Sequence, residues 1–204
     1  MSPDRKRPEV ALTDPRALRA YAHPLRLSLV GLLRQEGPLT ATQAAAHLGE
    51  SVPSCSFHLR QLARYGLAER VPGADARERP WRATALVTSW DDASDDPAMR
   101  AATDHLNAVV LDRYVQRARE YLARRDEEPT AWRTVAGFGD ALVYVTADEL
   151  AELLRRVEAV LAEYDGRLTD PATRPPDARP IGVMQLVVPM SPPPAPPPAA
   201  GAGR

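Results

Sequence analysis

The sequence predicts an α+β fold that is mainly α. Three observations set this expectation. Several stretches in the first 65 residues place apolar side chains at helical spacing, each bounded by a capping residue, Gly or Pro. Two short β-prone runs then flank a polar tip. After them, residues 98–125 contain neither Gly nor Pro and carry a long apolar stripe.

The elements follow in order. Residues 1–12 are basic and polar at their start and are expected to be disordered. Thr13-Asp14-Pro15 is a helix start, a capping side chain before a Pro in the first turn. A short helix over 15–21 ends at Ala22-His23-Pro24. The next helix puts Leu25, Leu29, Leu32 and Leu33 on one side and stops at Gly37-Pro38. Thr40-Ala41-Thr42-Gln43 is a capping box, with Thr reaching forward and Gln reaching back. It opens a short Ala-rich helix, whose small side chains let another helix cross closely. Gly49-Glu50 turns into a further helix over 51–64, which Gly66 stops.

That helix is the most informative segment. At roughly 100° per residue, Cys55, Leu59 and Leu62 share a stripe that can pack on a core. The other side carries Pro53, Ser54, Phe57, Arg60, Gln61 and Arg64, with Ser56 beside them. Such a set matches the edges of bases, a thymine methyl and phosphates. Two helices joined by a short Gly-containing turn form a helix-turn-helix. Leu67–Val71 and Trp81–Thr84 then make a β-hairpin, with Arg77 and Arg79 on its tip and Arg82 on its return. Residues 13–86 therefore read as a winged helix-turn-helix domain. Thr40, Thr42, the outward set on the helix over 51–64 and the three hairpin arginines are the candidate DNA contacts.

Residues 22–84 resemble the DNA-binding domain of the ArsR family of bacterial repressors. The resemblance rests on His23-Pro24-Leu25-Arg26, on Leu48-Gly49, and on Ser56-Phe57-His58-Leu59 followed by Leu62 and Tyr65-Gly66-Leu67. It covers about a third of the chain. It implies a homodimer that represses transcription and leaves DNA when a signal binds. Ala44 stands where the family often has a larger apolar residue, which affects local packing. Thr40-Ala41-Thr42 stands where the metal sensors of the family have a Cys-x-Cys pair. Hydroxyls are poor ligands for thiophilic ions, so DNA binding is implied but arsenic or cadmium sensing is not.

The rest of the chain offers fewer signals. Residues 87–96 look like an acidic linker. The long helix over 98–125 places Met99, Ala102, Leu106, Val109, Val110, Tyr114, Ala118, Tyr121 and Leu122 on one side. A small winged domain gives so long a stripe little to cover, so it is expected to join two copies through Leu106, Val109, Val110 and Tyr114. Residues 141–145 and 181–188 read as strands around a helix that the capping box Thr146–Glu149 opens, a small strand-helix-strand unit within a dimerisation and effector region over 97–190. The Pro/Ala-rich residues 191–204 cannot bury a core.

Composition agrees with these assignments. The net charge of −1 hides an asymmetry. Residues 1–82 hold 13 Lys+Arg against 8 Asp+Glu, and the remainder holds 13 against 19. A front half of +5 suits a phosphate backbone, and a back half of −6 should stay off it. No run approaches the ~20 apolar residues of a membrane span, no signal peptide is visible, and one Cys fits a reducing cytoplasm. Cys55 lies on the core stripe and reads as a buried thiol. His58, at the edge of that stripe, reads as half-buried and structural, and His23 as a turn or cap residue. No metal site and no cofactor are expected. Trp90, Trp132, Phe138, Tyr144 and Met184 leave room for a small-molecule effector, though plain core is the commoner use of such residues. No nucleophile motif, phosphate loop or close carboxylate pair argues for an enzyme. The expected function is a homodimeric repressor on double-stranded DNA. The rival is a winged helix used as a protein-interaction module, with Phe57 as its anchor.

Overall fold

The computed structural model describes residues 7–73 and 79–192. The chain is mainly helical, with two small sheets in its first half. Helices α1 (Pro15–Tyr21), α2 (Pro24–Glu36), α3 (Ala41–Leu48) and α4 (Val52–Arg64) are preceded by strand β1 (Glu9–Leu12). Strands β2 (Ala68–Arg70), β3 (Trp81–Ala83) and β4 (Val87–Trp90) lead into the long helix α5 (Pro97–Arg124). Further on lie α6 (Thr130–Arg133), α7 (Ala147–Ala162) and α8 (Gly166–Thr169).

The helix ends are set as the local chemistry requires. Asp14 accepts from Arg16 N, and Thr40 and Gln43 form a reciprocal capping box. The Ser51 side chain accepts from Ser54 N at the start of α4. Gly49, at φ +66°, and Gly66, at φ +71°, take left-handed conformations that side chains resist, so α3 and α4 each stop there. One core unites these helices. Leu18, Leu29, Val30, Leu33, Ala44, Ala45, Cys55, Leu59, Leu62 and Leu67 are all buried in it.

The wing is an antiparallel pair in which Ala68, Glu69 and Arg70 face Ala83, Arg82 and Trp81. Leu39 adds a separate antiparallel bridge to β3, exchanging backbone bonds of 2.9 and 2.7 Å with Trp81. The chain between α2 and α3 is thereby tied to the wing.

Two expectations at the edges of this domain are corrected. Residues 1–12 do not all lack structure: residues 9–12 form β1, which pairs in parallel with β4, Glu9 opposite Val87 and Leu12 opposite Trp90. Leu12 drops into the core while Glu9 and Ala11 stay exposed, an alternation too short to separate from background. Residues 1–6 lie outside the described residues. Nor are residues 87–96 a free linker. After β4, Trp90 Nε1 donates to Asn107 Oδ1 at 2.9 Å, Asn107 Nδ2 donates to Asp92 Oδ1 at 2.8 Å, and Arg100 donates to the Asp95 carbonyl at 2.8 Å. The acidic stretch is docked on α5.

Helix α5 crosses α1 and closes the same core with Met99, Ala102 and Leu106. Leu106 is fully buried within the chain. It cannot also be a contact between copies, which corrects one of the four expected seam residues. Val109 and Val110 pack partly on the core, and Tyr114 is half-buried.

Beyond α5 the expected strand-helix-strand unit is only a helix. Helix α7 begins with the capping box of Thr146 and Glu149, as its sequence requires. Residues 141–145 and 181–188 have no regular secondary structure. A strand needs a ladder partner for its N–H and C=O groups, and these two runs do not pair. No residue of α7 is buried. Arg7 ties the start of the chain to this region: it grips Asp165 through two bonds of 2.8 and 2.7 Å, with both side chains largely covered. Residues 193–204, most of the expected disordered tail, lie outside the described residues. No described helix is long and apolar enough to cross a membrane.

Candidate nucleic-acid interface

Helix α4 turns Cys55, Leu59 and Leu62 into the core and leaves a polar face outward. On that face Pro53, Phe57, Arg60 and Arg64 are exposed, while Ser54, Ser56 and Gln61 are half-buried. Phe57 is 48% exposed, its ring set edge-on against His58 at 5.1 Å between centroids. An aromatic side chain so placed is available to an apolar group such as a thymine methyl.

The approach to α4 runs over α3. Thr42 is exposed in its first turn. Thr40 is committed differently: its hydroxyl accepts from Gln43 N at 3.2 Å and donates to Gln43 Oε1 at 2.9 Å. The hydroxyl proton is spent on the cap and is not free to donate to a phosphate.

On the wing, Arg79 is exposed and its carbonyl accepts from the Arg70 guanidinium. Arg82 pairs with Glu69 across the strands at 2.7 Å, with both partners in water. Such a pair is worth little, so a phosphate can displace Glu69 at small cost. Arg77 lies outside the described residues.

Arg70 was missed by sequence reasoning. Its guanidinium lies over the Trp81 ring, 4.0 Å from the centroid. Burial, then Arg79, then Arg60 push its pKa down. Strand β2 packs against α4, so Arg70 stands on the element next to the one that carries Arg60. The signal was the pairing of Arg70 with Trp81 across a hairpin, which a run of residues does not show.

Behind the reading face sits a second cluster. The rings of His23 and His58 stack at 4.4 Å, and His23 Nδ1 accepts from Leu25 N at 3.2 Å. His23 is thus the cap of α2, and His58 is half-buried. Among the described residues, His58 Nδ1 and Arg26 Nε find no hydrogen-bond partner where they are buried. Burial holds the His58 ring below its ordinary pKa, with His23 and Arg26 adding to the effect and Glu50 opposing it. Cys55 is fully buried, which pushes its thiol up and keeps it protonated and inert.

The five expected effector-pocket residues are not brought together. Trp90 binds Asn107, Tyr144 is 97% exposed, and the Arg179 guanidinium covers Trp132 at 5.0 Å. Phe138 alone lines a cavity of about 470 Å³ at the end of α5, together with Tyr121, Leu122, Arg125 and Arg133.

The family model for a helix-turn-helix domain matches residues 21–71, which run from the end of α1 through β2. The chain thus carries a helix-turn-helix domain of the DNA-binding type used in transcription regulation. No curated protein matches the chain.

Proposed function

We propose that this chain is a homodimeric, cytoplasmic transcriptional repressor of the ArsR type that reads a palindromic promoter site. The outward face of α4 carries the proposal. It presents hydrogen-bonding groups, an exposed aromatic ring and the exposed Arg60 and Arg64, and the wing strand packed against it carries the exposed Arg70. Gln61 and Ser54 would read base edges, and Arg60, Arg64, Arg70 and Arg79 would hold phosphates. Two copies would place their α4 helices in successive major grooves, about 34 Å apart along the duplex.

The seam between copies shifts outward from the residues expected. Leu111, Val115 and Leu122 are exposed, and Ala118 is half-buried. Their spacing of four, three and four is that of a coiled-coil seam, and it runs along α5 beyond its core-bound first third. Thr40 and Thr42 supply no thiolate, so the releasing signal is not a thiophilic metal.

Fluorescence anisotropy with promoter duplexes from the chain's own locus tests this reading. Steep weakening with salt is expected, because phosphate contacts release counterions. The competing use of Phe57 as an anchor for a protein partner requires salt-insensitive binding and no preference among duplexes. That result would overturn the repressor.

A further inference from the structure

Gly31 sits in the middle of α2, where glycine weakens a helix. A β-carbon there would stand 3.1 Å from Arg113 Nη2 and 3.6 Å from Arg117 Nη2. Two guanidiniums one turn apart on α5 therefore converge on a bare patch of α2. Arg113 Nη1 also donates to Ser28 Oγ, one turn earlier on α2, at 2.7 Å. From the other side the C-terminal segment approaches. A β-carbon at Gly182 would be 4.0 Å from Arg117 Nη1.

Among the described residues no carboxylate forms an ion pair with Arg113 or Arg117. Glu120 acts on Arg113 only through space, and its carboxylate already accepts from Gln116 at 2.9 Å. Burial, then Arg117, push the Arg113 pKa down to about 10. Two like charges held together and partly out of water are costly unless an anion completes them. Paired guanidinium forks match the geometry of a carboxylate or phosphate group.

We propose that Arg113, Arg117 and Ser28 bind a small oxyanion, the carboxylate or phosphate group of a metabolite, between α2, α5 and the segment at Gly182. The bound group joins the winged domain to the C-terminal region. It supplies the effector class for the repressor, and its regulatory consequence rests on that reading, whereas the binding itself does not.

The test uses the full chain without DNA. Inorganic phosphate and acetate are titrated separately, with ionic strength held constant by chloride, and thermal midpoint and calorimetric heat are read. One of the two should raise the midpoint saturably, and the stronger binder identifies the head group. Arg117→Gln removes an exposed side chain and should fold, with affinity reduced at least tenfold. Gly31→Ala favours the helix but crowds the guanidiniums, and should weaken binding with both charges kept. Equal responses to phosphate, acetate and chloride overturn the site. Undiminished binding in Arg117→Gln and Gly31→Ala overturns it as well. A smaller salt slope for DNA in Arg117→Gln would assign these cations to the duplex instead. Promoter affinity with and without the probe is then measured as a separate arm. Absence of DNA binding there removes the repressor and leaves the oxyanion site standing.

Discussion

Single side chains on α4 and the wing divide into two kinds, and their loss should look different. Gln61→Ala removes a base contact, so it should cost about 1–3 kcal/mol on the right site and almost nothing on random DNA. Arg70→Ala should weaken all sequences alike and lower the salt slope by about one. Anisotropy titrations at several salt concentrations separate these outcomes, and equal losses on both DNAs for Gln61→Ala would remove it from the reading set. A third residue effect concerns pH. His58 and His23 both have pKa values held down, His58 by burial, then His23, then Arg26, and His23 by burial, then Arg26. The unfolded chain takes up protons near pH 6.5 that the folded chain refuses until lower pH. Stability is thus fully present above about pH 6.5 and falls as pH drops through the window below it. His58→Phe keeps a ring against His23 and should flatten that fall, measured as urea midpoints between about pH 7.5 and 5.5. An equally steep decline in the variant would clear the histidine pair of the effect.

At the scale of elements, α5 closes the core, and joining two copies is the role proposed for its outer stripe. Its first third closes the core, so Leu106→Ala should cost about 2–5 kcal/mol in a denaturant melt. Its outer stripe leaves the fold alone. Leu111→Glu with Leu122→Glu should give a monomer by light scattering with a nearly unchanged melting temperature of the winged domain, and a dimer surviving this pair would exclude the stripe. The helices were legible because each carries its own signal. Asp14, Thr40, Ser51 and Thr146 cap the ends where they stand, and apolar spacing gives the faces. The outward set of α4 could be read for the same reason, since one helix displays it. Strand pairing had no such signal. Val10 and Leu12 become recognisable as a strand only beside Val87–Trp90, and residues 141–145, though β-prone, find no partner. Arg70, Arg113 and Arg117 were missed because their surroundings come from residues far along the chain.

Over the whole molecule, the boundary that the sequence suggested near residue 86 cuts through a finished structure. It severs β1 from its partner and strips Met99, Ala102 and Leu106 from the core. A fragment ending at Leu86 should therefore unfold at markedly lower denaturant than one ending near Val110, with far-UV circular dichroism as the readout. Comparable midpoints would mean that α5 adds nothing to the winged domain. The full chain should hold DNA more tightly than either fragment, since linked copies gain about 10²-fold or more in effective concentration.

The β1–β4 pair also fixes an order of events during synthesis. A parallel pair needs a long crossover, and here the crossover is the entire reading domain. On the ribosome, the nascent chain exposes α4 well before residues 87–90 emerge to close the loop. Closing so long a loop costs entropy that only the packed helices offset, so the pair forms last. A growing chain therefore completes this domain only once the start of the long helix has left the ribosome.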